Sequence, residues 1–285
     1  MSGGRERIAR RFAALAGEGR SAFVPFVSAG DPDRETSAAI LARLPALGAD
    51  LIELGMPFSD PMADGPSIQA AGERALQAGQ TMADTLAMAS AFRERDTDTP
   101  LVLMGYFNPI YRYGSEGFAA DARQAGVDGL IVVDLPPEED EELRGPAEAA
   151  GLALIRLVAP TTDDARLRRI LADCDGFVYY VSVTGITGTK SATTGDVAAG
   201  LARIRKATDL PVAVGFGVRD AGQAAEIAGF ADAVVVGSAI VQRIESTLSN
   251  GRAGSGTIPG VEALIRELAG GVRNRKKPET GEAGG

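Results

Sequence analysis

The sequence predicts a (β/α)8 barrel, or TIM barrel, with one additional helix at its N-terminus. Eight short apolar and β-branched runs recur along the 285 residues, and stretches with helical periodicity separate them. The runs are apolar almost throughout, which indicates strands of a parallel sheet that are buried on both faces. Eight such strand–helix units in a chain of this length are typical of the barrel. A doubly wound open sheet is the alternative, although that fold usually has fewer strands.

The elements follow one another in a regular order. Several helical stretches begin at Asp, Ser or Pro and end at Gly, as helix boundaries require. Ile8, Phe12 and Leu15 recur at helical spacing, so we expect a helix lying on the barrel. No linker divides residues 1–272, which we interpret as one domain, and the polar residues 273–285 are expected to form a disordered tail. The predicted strands are 23–29, 50–57, 100–106, 129–136, 153–160, 176–183, 211–217 and 233–240.

The composition restricts the possible functions. A net charge of -9 argues against nucleic acid as a general partner, because such binding depends on cationic neutralisation of phosphates. No run of about 18 apolar residues is present, so no membrane span is expected. Cys174 is the only cysteine, which excludes an intrachain disulfide and fits a reducing cytoplasm. The chain has no histidine, so we predict no metal site, and proton transfer must use Asp, Glu, Tyr, Lys or Cys.

Two connections depart from the regular spacing. The segment between the second and third strands is much longer than the others. The loop after the sixth strand, TGITGTKSATTGD, is rich in Gly and Thr. Loops that follow the strands form the active face of a (β/α)8 barrel, so both irregular segments are expected at the functional site.

Glu53 places a carboxylate inside the apolar second strand. Because side chains alternate across a strand, Leu51, Glu53 and Gly55 share one face, and Ile52 and Leu54 share the other. The aliphatic pair suits the layer against the helices, so Glu53 is expected inside the barrel near its upper end. Burial would raise its pKa, which suits a catalytic acid or base working near neutral pH. The alternative is a buried glutamate paired with a core Lys, Arg or Tyr.

Two aspartates follow Glu53 in the same loop. Taken alone, Asp60 in SDP and Asp64 in ADGP are ordinary turn residues, and a structural role is the simpler interpretation of each. Both follow directly from the strand that places Glu53 at the barrel mouth. Their position therefore favours a role for the loop at the site.

Glycine-rich ends of the last two strands predict a phosphate site. The seventh strand ends in Gly-Phe-Gly and the eighth in Gly-Ser. Phosphate sites of these barrels commonly use the loops after strands seven and eight, where a glycine lets the backbone approach the anion. Simple turn glycines are the alternative. The predicted cradle consists of Gly217, Gly237 and Ser238, with Gly188 of the sixth loop completing it.

The motifs and their order resemble those of the tryptophan synthase α subunit family. LIELGMPFSDPMADGPSIQ, residues 51–69, is similar to the family's acidic second strand followed by PFSDP and ADGP. The departures are small: Met62 where Leu is commoner, Gly105 within LMGY, and a longer polar tail. The resemblance covers nearly the whole chain, since further segments similar to the family are FVPFVSAGDP, LMGYFNPI, VDGLIVVDLPPEE, VSVTGITG, VGFGV and VGSAIV.

The resemblance implies an activity, retro-aldol cleavage of indole-3-glycerol phosphate to indole and glyceraldehyde 3-phosphate in tryptophan biosynthesis. Glu53 matches the residue that protonates indole C3 and is then able to accept the hydroxyl proton. Asp64 matches the carboxylate that withdraws or stabilises the N1 proton. Thr187 matches a residue of a loop that closes over the site. By the same matching, the expected indole pocket consists of Phe26, Tyr106, Ile131, Leu157, Tyr179 and Phe216, with ordinary barrel core as the alternative for all six.

The resemblance also implies a partner subunit. The family's α subunit works with a pyridoxal-phosphate-dependent β subunit, to which indole passes directly, and we expect an α2β2 heterotetramer in the cytoplasm. No cofactor is expected in this chain. The positions that match the β-subunit contact are Asp60, Pro61, Asn108 and Pro109.

Two other functions stay open on the sequence. Another phosphate-binding barrel, such as a sugar-phosphate isomerase or epimerase, would share the glycine-rich strand ends but has no need of the second-strand motif. A barrel retained only to activate its partner would stimulate a β subunit with Glu53 dispensable.

Overall fold

The computed structural model describes residues 4–181, 193–215 and 217–274. In this part of the chain, eight strands form a closed barrel in sequence order. Every neighbouring pair is parallel, and the last strand pairs with the first. Closure of the barrel confirms the predicted fold class and rules out the open sheet, which would leave two edge strands unpaired.

The eight predicted strands are all present, but most are shorter than predicted. The eighth strand differs also in kind, because residues 238–240 begin a helix instead. A short buried apolar run fits either a strand or a helix, so its pattern alone does not locate that boundary. The observed strands are β1 Ala22–Ser28, β2 Ile52–Gly55, β3 Leu101–Gly105, β4 Gly129–Val132, β5 Ala153–Val158, β6 Val178–Val181, β7 Val212–Gly215 and β8 Ala233–Val236.

Helices surround the barrel, and several begin at the capping residues that the sequence indicates. Asp33 accepts a hydrogen bond from the Thr36 backbone, and Asp163 accepts one from the Arg166 backbone. The helices of the described ranges are α1 Gly4–Gly17, α2 Arg34–Leu41, α3 Leu44–Leu47, α4 Pro66–Gln77, α5 Met82–Arg93, α6 Phe107–Tyr113, α7 Ser115–Gln124, α8 Glu141–Ala150, α9 Asp164–Ala172, α10 Thr194–Arg205, α11 Ala221–Ala228, α12 Ser238–Ser246 and α13 Thr257–Arg273.

The long connection between β2 and β3 contains two helices, α4 and α5. Helix α5 packs beside α2 and α7, within the outer ring of helices. Helix α4 instead packs on α12 and β1. The unusual length of this segment is therefore explained by an extra helix near the carboxyl ends of the strands.

Helix α1 closes the opposite end of the barrel, as the helical spacing of its apolar residues predicts. Ile8, Phe12 and Leu15 are buried in the cluster that fills the barrel interior. The rings of Phe12 and Phe177 lie 5.7 Å apart. The Arg7 guanidinium pairs with the buried carboxylate of Asp128, which directly precedes β4. The additional helix thus blocks the amino-terminal end and leaves the carboxyl-terminal end for a site.

No helix in the described ranges is both long and apolar enough to cross a membrane. Residues 275–285, which form most of the predicted tail, lie outside the described part, as do Thr187, Gly188 and Phe216 of the predicted site.

Candidate active site

The side chain of Glu53 points into the barrel from β2. Leu51 belongs to the interior cluster, whereas Ile52 and Leu54 belong to the layer between strands and helices, as side-chain alternation predicts. The residue is fully buried, and neither carboxyl oxygen has a hydrogen-bond partner among the residues that the structure describes. Within those residues, the alternative of a glutamate bonded to a core Lys, Arg or Tyr is therefore excluded.

Burial controls the protonation of Glu53. Removing the carboxyl group from water raises its pKa from an ordinary 4.5 to about 8, and no described partner stabilises its charged form. The group is therefore mostly a neutral carboxylic acid at pH 7. A protonated acid inside a cavity can donate its proton to a bound substrate.

Asp64 lies in the loop between β2 and α4, where hydrogen bonds fix the backbone around it. Its N–H donates to the Pro61 carbonyl over 3.0 Å, and the Gln69 amide donates to the Asp64 carbonyl over 2.8 Å. The Tyr106 hydroxyl accepts a hydrogen bond of 2.9 Å from the Ala63 N–H. Tyr106, from the end of β3, thus connects a neighbouring strand to the Asp64 loop.

The carboxyl group of Asp64 differs in protonation from that of Glu53. Partial burial raises the pKa of Asp64 to about 6, whereas a hydrogen bond from the Tyr106 hydroxyl acts in the opposite direction. At pH 7 Asp64 is therefore mostly ionised, and it can accept a hydrogen bond or stabilise positive charge. One cavity holds an acid and an anion without any histidine.

Both carboxyl groups line a cavity of about 310 Å³ at the carboxyl ends of the strands. Its wall is largely apolar, with a few polar groups, as a site for a small planar ligand requires. The lining residues are Phe26, Glu53, Ala63, Asp64, Gly65, Ile68, Met104, Val133, Leu157, Tyr179, Val181, Gly215, Gly217, Val235, Gly237 and Ser238.

One side of the cavity is suited to an anion. Gly237 is the N-cap of α12, and no described side chain caps the first N–H groups of that helix. Free N–H groups and the helix dipole both favour a negative group at this end. Gly217, with φ +66°, has open space where a Cβ would lie, so its backbone is accessible from the cavity. The structure thus brings Gly217, Gly237 and Ser238 together.

The six predicted indole-pocket residues occupy different places. Phe26, Leu157 and Tyr179 line the cavity. Tyr106 instead lines a small adjoining cavity of about 30 Å³ that Asp64 also lines. Ile131 is fully buried in the barrel interior and does not line either cavity. Phe216 lies outside the described residues.

Several lining residues were not predicted. Met104, Val133, Val181 and Val235 lie at or just after the ends of β3, β4, β6 and β8. Strand alternation carried to the last inward-facing residue of each strand could have identified them. Ile68 lies on α4, and no local sequence signal indicates that this helix turns toward the cavity.

The predicted partner-contact residues follow β2 and β3 at the same end of the barrel. Asp60 is exposed and accepts a hydrogen bond of 2.5 Å from the Ser59 hydroxyl. Pro61 is half-buried beside it. Asn108 and Pro109 lie in the first turn of α6, where Asn108 is exposed and Pro109 is half-buried.

Large apolar side chains are exposed near these residues. Met62 is 69% exposed and Tyr111 on α6 is 56% exposed. As for metal binding, the described residues contain no group of three or more His, Cys, Asp or Glu that could hold an ion.

Comparisons with known proteins all point to one family. The sequence model of a family described as tryptophan synthase alpha chain matches residues 12–264. A protein of this name from Granulibacter bethesdensis is 57% identical over 270 residues, covering 95% of this chain and 97% of that protein. One from Gluconacetobacter diazotrophicus is 57% identical over 271 residues, covering 95% and 99%.

Solved structures give the same relationship. The crystal structure of tryptophan synthase subunit alpha from Legionella pneumophila superposes with a TM-score of 0.87 at 37% sequence identity. The match covers 94% of this chain and 98% of that chain. The family match, residues 12–264, spans all eight strands together with Glu53, Asp64 and the glycine-rich ends of β7 and β8.

Proposed function

This chain belongs to the tryptophan synthase α chain family, and on that premise we propose that it cleaves indole-3-glycerol phosphate to indole and glyceraldehyde 3-phosphate. The observation that carries the proposal is the content of one cavity. A protonated carboxyl, Glu53, and an ionised one, Asp64, lie there with the open amino end of α12.

In the first step, the Glu53 carboxylic acid donates its proton to indole C3. Positive charge then develops over the ring and is greatest at N1–H. The Asp64 carboxylate accepts a hydrogen bond from N1–H and stabilises this charge. The apolar wall around Glu53 keeps its carboxyl group neutral until the substrate binds, so the proton is available near pH 7.

In the second step, the Glu53 carboxylate accepts the proton of the hydroxyl on the adjacent glycerol carbon. That carbon forms the aldehyde C=O as its bond to indole C3 breaks. The released electron pair restores the C2–C3 double bond and neutralises N1. Glu53 ends protonated, as it began, so one carboxyl group performs both transfers.

The substrate phosphate is proposed to bind at the amino end of α12. Backbone N–H groups at Gly237 and Ser238 would donate to its oxygens, with Gly217 beside them. A chain with a net charge of -9 gains from such a site, because it needs no basic patch. The proposed contributions of Gly188 to the cradle and of Thr187 to a covering loop concern residues outside the described ranges.

We further propose that this chain works in the cytoplasm with a tryptophan synthase β subunit, as an α2β2 heterotetramer. Pyridoxal phosphate would reside in the β subunit, and this chain would need no cofactor of its own. The surface around Asp60, Pro61, Asn108 and Pro109 supports the contact, since Met62 is exposed there.

Indole release from indole-3-glycerol phosphate tests the activity, with and without a β subunit. We expect Glu53→Gln to reduce turnover by at least about 10²-fold, because the variant has no proton to donate. For Asp64→Asn we expect turnover to fall by a similar factor, because the neutral amide cannot stabilise positive charge on the indole ring. Asp60→Asn, an exposed change in the same loop, is the matched control and should keep its turnover without the β subunit.

The outcomes separate the possible functions. No indole from the wild-type protein under either condition would overturn the assignment. Full stimulation of a β subunit, together with wild-type cleavage by Glu53→Gln, would show that Glu53 is not the acid.

A further inference from the structure

The orientation of α4 determines where Asp64 lies. The helix begins at Pro66, only two residues after Asp64, and Gly65 between them is its N-cap. Ile68 in its first turn lines the cavity. A rotation or shift of α4 would therefore move Asp64 relative to Glu53. The proposed reaction needs these two groups on the same substrate ring, so something must hold α4 in place.

The apolar cluster beneath α4 contains few side chains. Ala71 packs with Phe26 and Val241 in a cluster of three buried residues, and Ile68 lies against it. This cluster is separate from the two large cores of the barrel. Because this cluster is small, a well-oriented polar connection is expected to contribute to the position of α4.

Arg74, one turn after Ala71, provides that connection. Its Nε and Nη2 donate to Oδ1 and Oδ2 of Asp31 over 2.7 and 3.0 Å. Asp31 lies in the loop after β1, and its carboxylate is fully buried. A two-point bond of this kind fixes the direction as well as the distance of the guanidinium.

The same guanidinium also reaches α12. Its Nη1 lies 3.5 Å from Oε1 of Glu245, in the last turn of that helix. A second connection runs from the middle of α12 to the amino end of α4, where the Gln242 amide donates to the Ser67 hydroxyl over 2.8 Å. Arg74 therefore connects α4, which follows the Asp64 loop, to the loop after β1 and to α12.

We propose that Arg74 is a positioning residue for the cleavage reaction. By binding Asp31 and Glu245 together, it holds α4 and α12 so that Asp64 and the open end of α12 face one substrate. This inference rests on the proposed function. Arg74 itself touches no part of the cavity.

The test compares Arg74→Gln with a matched control, Arg20→Gln. Arg20 bonds Asp50 at two points, over 2.8 and 2.9 Å, and also contacts Glu18. The two arginines have similar exposure, 16% and 17% for the side chains. Asp50 lies two residues before the start of β2, so the control pair lies at the opposite end of the barrel. Both variants remove a bidentate ion pair, but only one of these pairs is near the site.

Kinetics of indole release give the first readout. For Arg74→Gln we expect kcat/KM to fall by about 10- to 100-fold, since a shift of about 1 Å in a reacting group costs up to that factor. Displacement of Asp64 should lower kcat, and displacement of α12 should raise KM. Arg20→Gln should lose thermal stability with unchanged kcat and KM. Wild-type kinetics in Arg74→Gln, with a similar loss of stability, would overturn the inference.

Amide hydrogen exchange gives a readout that is independent of activity. We expect faster exchange in residues 58–66 and in the first turn of α12 for Arg74→Gln, but not for Arg20→Gln. Equal exchange in both variants would also overturn the inference. A wild-type protein that releases no indole would disprove the proposed function alone, and exchange would still decide the role of Arg74.

A second variant covers the case in which Arg74→Gln does not fold. That change leaves the buried Asp31 carboxylate without its partner, which is strongly unfavourable. The double variant Asp31→Asn/Arg74→Gln removes both charges, so two neutral amide side chains replace the ion pair. We expect it to fold and still to show the kinetic and exchange changes, and a folded double variant with wild-type values would overturn the inference.

Discussion

At the scale of single residues, the two carboxyl groups of the cavity differ because their surroundings differ. Glu53 lies among apolar side chains, and its pKa rises to about 8. Asp64 is only partly buried and receives a hydrogen bond from Tyr106, so its pKa rises only to about 6. Between pH 6 and pH 8, Glu53 is therefore mostly a neutral acid and Asp64 is mostly an anion. The proposed cleavage needs this combination, and it explains how a chain without histidine performs acid–base chemistry.

The raised pKa of Glu53 predicts a cost in stability. The pKa is about 8 when folded and near 4.5 when unfolded, so between these values the unfolded chain has released a proton that the folded protein keeps. Stability therefore falls as pH rises through this window, by up to about 1.4 kcal/mol per pH unit. We expect Glu53→Gln to be more stable than the wild type at pH 8, by about 4 kcal/mol, with little difference at pH 4.

Urea unfolding at several pH values measures this effect. The difference in the free energy of unfolding between the variant and the wild type should grow steadily from pH 5 to pH 8. A difference that stays constant over this range would contradict a raised pKa for Glu53. Such a result would also remove the physical reason for assigning it as the acid.

At the scale of elements, the amino end of α12 is shaped by its N-cap glycine. A Cβ at Gly237 would lie 3.3 Å from the Cβ of Phe26, so a larger side chain must crowd both the cavity wall and the helix end. We expect Gly237→Val to weaken binding of glycerol 3-phosphate by at least about tenfold, which is about 1.4 kcal/mol.

Titration calorimetry with glycerol 3-phosphate measures that loss. Gly256→Val is the matched control, because Gly256 is the N-cap of α13 and has open space around its Cβ position. The control should bind as the wild type does. Equal affinity in Gly237→Val and the wild type would place the phosphate elsewhere.

At the scale of the whole molecule, the two ends of the barrel have separate tasks. Helix α1 fills the amino-terminal end, and the cavity occupies the carboxyl-terminal end. Phe12→Ala should cost about 3–5 kcal/mol in the free energy of unfolding, because it leaves a hole beside Phe177 in the interior cluster. Turnover per folded molecule should stay unchanged, since the substitution is far from the carboxyl groups.

Thermal unfolding and indole release together check this separation. Arg10→Ala, an exposed change on the same helix, should alter stability by only about 0.5 kcal/mol. A large loss of turnover in folded Phe12→Ala would show that the two ends are coupled.

Patterns over a few neighbouring residues were enough to determine the fold class, the inward direction of Glu53 and the place of the phosphate-side glycines from the sequence by itself. Apolar runs separated by helical periodicity predict eight buried strands, and the closed barrel confirms them. Alternation along β2 predicts that Glu53 points inward, because neighbouring side chains on a strand must face opposite sides. The glycines after β7 and β8 likewise indicate which strand ends meet at one edge of the cavity.

Only the tertiary structure decided the contacts between distant segments. It placed the Tyr106 hydroxyl on the Asp64 loop and joined Arg74 to Asp31 and Glu245. It also placed Ile131 deep in the barrel, two residues before the cavity-lining Val133. The physical reason is that strand and helix patterns are local, over a few residues. The distance between two side chains on different elements depends instead on how far each strand extends and how each helix packs.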